Sequence, residues 1–192
     1  MSDKRPACYA PWITTYEYPQ KIVPCCEWNG KSGRYIGTEE HMSLDDRFNH
    51  PTMKDIKEEM MSGVLPPECK NCVKMEENTS QVSLRQIYDD LVNDTTDYRF
   101  NKDEFKLINM DYRESNLCNF SCMMCSYPLS SVHAQRAGKY GKTGIKKNPQ
   151  NLQMYLDRLD EVRLIQCLGG EPLLTESMWT TIKEVKRRGL EG

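Results

Sequence analysis

Apolar and polar positions change rhythm several times along the chain. Ile13-Thr14-Thr15-Tyr16-Glu17-Tyr18 and Lys21-Ile22-Val23 are rich in β-branched and aromatic residues and flank Pro19-Gln20, which predicts a hairpin. Asn29-Gly30 and Ser32-Gly33 then punctuate a turn. From Pro51 to Gly63 the period becomes helical, with Asn49 or His50 as cap and Met53, Ile56 and Met60 on one face. Methionines at that spacing read as core filling rather than as ligands. Pro66-Pro67 leads straight into Cys69-Lys70-Asn71-Cys72. Residues 76–104 are polar, with one short helix over Ser83–Val92 whose side would carry Leu84, Ile87, Tyr88 and Leu91. From residue 105 onward the pattern alternates strand and helix. Phe105–Met110 is a strand candidate, and Asn148-Pro149 opens a helix marked by Leu152, Tyr155, Leu156 and Leu159. Val162–Leu168 is a second strand, and Met178, Ile182 and Val185 mark a last helix closed by Gly189. That alternation predicts parallel pairing in an α/β arrangement.

Composition narrows the class. The chain has 192 residues and a mass of 22.4 kDa, room for one ordinary domain or two small ones. With 26 Lys and Arg against 28 Asp and Glu, the net charge is −2, which does not favour a nucleic-acid binder at the level of the whole chain. Apolar residues make up 38% and mean hydropathy is −0.72, lean for a single core but well above a disordered composition. No apolar run approaches the ~18 residues of a membrane span, so no membrane partner is expected. The polar start Met1-Ser2-Asp3-Lys4-Arg5-Pro6 leads into no secretory signal, and the expected location is the cytoplasm. Nine cysteines in a reducing compartment point to metal or redox chemistry rather than disulfides. Cys8, Cys25, Cys26, Cys69 and Cys72 gather at the N-terminal end, and Cys118, Cys122 and Cys125 fall within eight residues. Two clusters predict two metal sites on two structural units.

The loop Cys118-Asn119-Phe120-Ser121-Cys122-Met123-Met124-Cys125 is the most specific signal. Three thiolates at this spacing can cap one face of an iron–sulfur cube, whose full protein ligation takes four cysteines. One iron is then left open, as in catalytic rather than structural metal sites. A zinc knuckle completed by Cys167 or His133 is the alternative reading of the loop. The second strand ends in Leu168-Gly169-Gly170-Glu171-Pro172. Two glycines admit close backbone approach to a ligand, and the carboxyl ends of parallel strands are where ligands bind.

Together the C-x-x-x-C-x-x-C loop and the Gly-Gly-Glu-Pro strand end resemble the radical S-adenosylmethionine (SAM) superfamily. The resemblance implies a 4Fe–4S cluster on Cys118, Cys122 and Cys125, with SAM chelating its open iron. It places Gly169, Gly170, Glu171 and Pro172 at SAM, and Met124 near the adenine where relatives usually carry an aromatic residue. It implies one-electron cleavage of SAM to methionine and a 5′-deoxyadenosyl radical, which abstracts hydrogen from a C–H bond. A low-potential donor such as flavodoxin or ferredoxin would supply the electron, and peptides or proteins are among the substrates of such relatives.

The N-terminal cysteines are similar to a Twitch or SPASM-type auxiliary domain. That likeness implies a second 4Fe–4S cluster on Cys8, Cys25, Cys69 and Cys72, with Cys26 as the alternative to Cys25 and a four-cysteine zinc site as the alternative metal. The expected organisation is an auxiliary domain over 1–80, a linker over 81–104 and the first βα units of a radical SAM core over 105–192. Such a core uses about six βα units, a partial (β/α) barrel, and only two are legible here. The expectation is a fragment or split subunit with an exposed strand edge.

The remaining chemistry is sparse. Cys167 reads as a small buried residue, and His41, His50 and His133 match no histidine-based site. The run Arg136 to Lys147 carries Arg136, Lys139, Lys142, Lys146 and Lys147 with no acid. It suits a solvated loop, a phosphate backbone or an acidic partner.

Overall fold

A computed structural model describes residues 5–18, 21–29, 34–37, 42–78, 81–147 and 151–190. Expectations placed on Pro19-Gln20, Gly30 to Gly33, His41 and Asn148-Pro149 fall outside these residues. The chain is a mixed α/β protein with small sheets. It divides into one compact unit of Met1–Met110 with Glu161–Leu164 and a second of Asp111–Asp160 with Ile165–Gly192.

The first unit opens with a single helical turn, α1 (Ala10–Ile13), all four residues of which are buried. Pro11 near its start is already set for helical φ, so Ile13 closes a helical turn rather than opening the expected strand. The hairpin itself forms. Strands β1 (Tyr16–Tyr18) and β2 (Lys21–Val23) pair antiparallel with Tyr16 opposite Val23 and Glu17 opposite Ile22, and β3 (Ile36–Gly37) adds to β2. Ile22 and Ile36 then pack with Met53. Met53 belongs to α3 (Pro51–Met61), which follows α2 (Leu44–Asn49). His50 caps α3 by accepting from the Thr52 N–H, and Met53, Ile56 and Met60 are all buried, so the predicted face is the packed one. Helices α4 (Lys70–Glu77) and α5 (Leu84–Asp94) follow. A reciprocal Ser83–Gln86 capping box starts α5. Its buried residues are Tyr88 and Val92, whereas Ile87, expected inside, is exposed.

A buried ion pair fastens the hairpin to α2: Arg47 Nη2 stands 2.7 Å from Glu17 Oε2, with both side chains at 7% exposure or less. Ion pairs this dry cost desolvation, but removing one partner costs more, because a charge is left behind in the interior.

The first predicted strand of the C-terminal part is shifted. β4 covers Asn109–Tyr112 rather than starting at Phe105. The backbone just before it bonds outside any ladder: Lys106 N donates to Trp12 O, Leu107 N to the Glu161 carboxylate and Ile108 N to Ile13 O. β5 (Leu164–Cys167) is β4's neighbour. Leu164 N donates to Ile108 O and Leu168 N to Tyr112 O, so the bonds climb both strands in one direction and the pair is parallel, as expected.

In the second unit, α6 (Ser131–Arg136) follows the cysteine loop, and α7 (Leu152–Leu156) is capped by Asn151. The last helix, α8 (Glu176–Arg188), ends on Gly189 at φ 66°, with Leu190 N donating to Val185 O and Gly189 N to Lys186 O in a Schellman closure. Met178 and Val185 are half-buried and Ile182 is exposed. With Ile165 and Cys167 of β5 they line an open groove of about 580 Å³ instead of a closed core. Cys167 is accordingly half-buried rather than buried. Among the described residues no helix is long and apolar enough to cross a membrane.

Replacing Arg47 with Leu removes the Arg47 charge from beside buried Glu17. The expected cost is about 3–5 kcal/mol of stability in urea unfolding of the metal-free, reduced protein. A loss below about 1 kcal/mol would show that the pair does not hold the hairpin.

Candidate metal centres

In the first unit, four cysteines distant in sequence line one cavity: Cys8, Cys25, Cys69 and Cys72. Cys8 precedes α1, and the Ala10 N–H points at its sulfur at 3.5 Å. Cys25 sits in the bend after β2. Cys69 closes a short 3-10 turn (Pro67–Cys69) that feeds α4, which carries Cys72 one turn on. Of the adjacent pair, Cys25 lines the cavity. Cys26 does not, and its carbonyl accepts the Tyr18 hydroxyl at 3.0 Å. Trp28, Met60, Leu84 and Tyr88 supply apolar wall. The open space left between the thiols is small, about 10 Å³.

Two arginines brace this cavity. Arg34 donates from Nε and Nη2 to both oxygens of buried Glu68, at 2.8 and 2.5 Å, and from Nη1 to Glu59 at 2.6 Å. Glu68 immediately precedes Cys69, so the fork fixes the turn that presents that thiol. Arg85, on the cavity wall, makes the same two-point contact with Glu76. That contact ties α5 to the helix bearing Cys72 and holds the Glu76 carboxyl below its ordinary range. Nothing in the composition of residues 76–104 signalled that α5 would wall a thiol cavity. The clue lay in the Ser83–Gln86 cap and in an arginine one turn from an aromatic.

Burial pushes all four thiols up. Cys8 and Cys25 rise well above the ordinary thiol range, Cys69 reaches about 12, and Cys72 is also raised. Mutual repulsion among the would-be thiolates adds to the rise at Cys8, Cys25 and Cys69. The metal-free pocket is therefore a set of neutral thiols.

The second unit carries the other three. Cys118 and Cys125 are half-buried and Cys122 is exposed, with Met123 and Met124 pointing fully into solvent. Cys125 N donates to Cys122 O at 3.0 Å, and His133 Nε2 on α6 stands 3.1 Å from that same carbonyl. The Cys118 backbone is held from both sides by one hydroxyl: its N–H donates to Ser131 Oγ at 3.0 Å, and Ser131 Oγ donates to its carbonyl at 3.1 Å.

The Gly-Gly-Glu-Pro turn lies directly against the backbone that enters this loop. Gly170 N donates to Ser115 O at 3.4 Å and Glu171 N to Leu117 O at 2.7 Å. A Cβ on Gly169 would fall 2.4 Å from Ser115 O, and Gly169 also sits at φ 131°. A Cβ on Gly170 would fall 2.2 Å from Leu117 O. Both glycines are thus required by close approach. The Glu171 carboxylate accepts from Leu173 N at 3.1 Å and caps the turn Pro172–Leu174.

Asn116 is the residue that the motifs did not announce. Its side chain accepts from Lys146 N at 2.6 Å and donates to Gly144 O at 3.0 Å, while its backbone takes Ser131 N at 2.7 Å. It joins the cysteine loop, α6 and the segment around Gly144.

Among the described residues, no three His, Cys, Asp or Glu side chains stand close enough to grip a single metal ion. No family model, no curated protein and no solved structure matches the chain.

Raised thiols make metal-free stability fall with alkalinity. In the unfolded chain these cysteines ionise near the ordinary thiol value of about 8.5, whereas in the folded protein Cys69 does so only near 12, Cys8 and Cys25 are pushed well above the ordinary range and Cys72 is raised. Between those limits the unfolded state binds fewer protons, so the unfolding free energy declines as pH rises. Urea unfolding of reduced, metal-free protein should show that decline from about pH 8.5. A Cys8→Ala/Cys25→Ala/Cys69→Ala/Cys72→Ala variant should largely lose it. Equal slopes would contradict the burial of these thiols.

Proposed function

We propose that the chain is a radical SAM protein, in which Cys118, Cys122 and Cys125 hold a 4Fe–4S cluster and the Gly169–Pro172 turn receives S-adenosylmethionine. The observation that supports this most is the seating of that turn on residues 115–117. Two motifs separated by more than forty residues meet through backbone bonds at glycines that tolerate no side chain. When bound, the cluster would supply one electron to SAM and so release methionine and a 5′-deoxyadenosyl radical.

The chain's own residues do the positioning. Cys118, Cys122 and Cys125 would hold the cluster and leave it able to bind SAM. Gly169 and Gly170 let the turn seat on the backbone of residues 115–117, and Glu171 would offer a carboxylate to the SAM amino group. Met124 stands free to pack on the adenine. The half-open groove along β5 and α8 suits a partial (β/α) barrel whose further strands lie beside β5, since that strand pairs only with β4 among the described residues.

For the Cys8, Cys25, Cys69 and Cys72 pocket we propose an auxiliary 4Fe–4S cluster. One observation favours a single zinc ion instead, namely the small open space between the thiols.

Anaerobic reconstitution tests both sites. Wild type should bind about eight irons, and a Cys118→Ala/Cys122→Ala/Cys125→Ala variant about four. Adding SAM to the reduced wild type should change its EPR signal, and the triple variant should show no such change. An unaltered spectrum at saturating SAM would sink the radical SAM reading. A triple variant holding one zinc would convert the auxiliary site to a structural one.

A further inference from the structure

The thiol pocket of the first unit carries a cation in its wall. Among the described residues that line it, Glu27 and Arg85 are the charged ones. The Glu27 carboxylate accepts from the Asn71 side-chain amide at 3.1 Å, in an exposed contact. Arg85 sits on α5 between Leu84 and Tyr88, and its side chain is three-quarters buried. Four thiols that ionise here to hold a metal would concentrate negative charge, and Arg85 is the one lining cation to meet it.

Arg85 also touches the chain on both sides of the pocket. Its Nε and Nη2 donate to Glu76 at 2.9 and 2.5 Å, and Glu76 lies on α4, the helix that carries Cys72. Its Nη1 donates to Ala7 O at 3.4 Å, the carbonyl immediately before Cys8, and stands 3.5 Å from Asp89. The Leu84 and Arg85 backbone N–H groups, in the first turn of α5, are bonded to the Cys72 sulfur. Attraction from the Cys8 thiolate adds to the contacts that hold the guanidinium protonated, the Glu76 hydrogen bonds being the largest of them. Glu76 and Asp89, which pair with Arg85, are not among the lining residues. The ion pair is therefore a dipole whose positive end lies in the wall.

We propose that Arg85 is a positioning residue for the group that Cys8, Cys25, Cys69 and Cys72 hold, and that its charge sets how readily that group accepts an electron. The inference rests on the auxiliary-cluster reading of these four cysteines. Reduction of such a cluster adds one electron and makes or breaks no covalent bond. It leaves one more negative charge among apolar side chains, where water does little to stabilise it. Fixed cations and N–H donors close to the sulfurs then decide the cost. A guanidinium in the wall favours the more negative state and so raises the reduction potential. The Leu84 and Arg85 N–H groups at Cys72 act in the same direction. Glu76 opposes them from behind the guanidinium, which gives the two partners of one ion pair opposite effects on the same group.

The test is a redox titration with dithionite, followed by EPR, on full-length chain carrying Cys118→Ala/Cys122→Ala/Cys125→Ala, so that only the pocket group is read. Iron content is measured first. Adding Arg85→Gln should make the midpoint more negative by about 59 mV, a tenfold change in a one-electron equilibrium. Adding Glu76→Gln should make it less negative. Both changes break the same ion pair, so a purely structural loss of the α4–α5 tie would move the two midpoints the same way. Arg85→Lys keeps the charge and should stay near the parent value. If Arg85→Gln fails to take up iron, the Glu76→Gln and Arg85→Lys midpoints still decide. Shifts of one sign in the glutamine variants, or no shift in either, overturn the proposal, as does an Arg85→Lys midpoint as negative as that of Arg85→Gln. A parent protein with about four irons and unmoved variants sinks this inference alone. A parent that binds one zinc, or no iron, sinks the auxiliary-cluster reading and the inference with it.

Discussion

The second unit depends on one amide. Asn116 stands two residues before Cys118 and spends its side-chain donor and acceptor on the Gly144–Lys146 segment and its backbone carbonyl on the start of α6. An asparagine side chain in mostly buried surroundings must satisfy both ends of its amide, because a lone unpaired end costs about 1–3 kcal/mol. That requirement fixes the Gly144 segment and α6 relative to the start of the cysteine loop. Ser131 then grips Cys118, and residues 115–117 present the carbonyls on which the Gly169–Glu171 turn rests.

The first unit is organised by a different constraint, the burial of thiols. Four cysteines enter one largely apolar pocket from three places in the chain, and two forked arginines hold the turn and helix that deliver Cys69 and Cys72. The Arg34 fork lies outside the pocket lining, whereas Arg85 forms part of its wall and spends its guanidinium on Glu76. The raised thiols follow from this design: the pocket is dry, and it accepts charge only together with a cation.

Much of this was legible in the residues and some was not. Helix α3 was readable because Pro51, His50 and Gly63 mark its ends and its apolar residues recur at helical spacing. β5 and α8 were readable for the same kind of reason. Ile13 misled because β-branched residues favour strands, while the local backbone follows Pro11. Phe105–Ile108 misled because a buried apolar run looks like a strand even where its N–H groups bond to loops. The cysteine loop and the Gly-Gly-Glu-Pro turn were visible as motifs, but their contact was not, since it depends on non-local backbone bonds. Asn116 was invisible: one asparagine in a polar stretch carries no pattern. The choice of Cys25 over Cys26 likewise needed the bend after β2.

The unequal exposure of the two cysteine sets orders the chemistry of damage. Oxidation needs a reachable sulfur in its thiolate form. The four pocket thiols of the first unit are neutral, with Cys8 and Cys72 buried and Cys25 and Cys69 half-buried, so oxidants meet them more slowly than they meet Cys122. Cys122 stands at the surface between fully exposed methionines, which can themselves become sulfoxides. In air, the injury would start at the loop proposed for chemistry and leave the other pocket intact. Aerobically handled protein would therefore lose its most exposed thiol, Cys122, first.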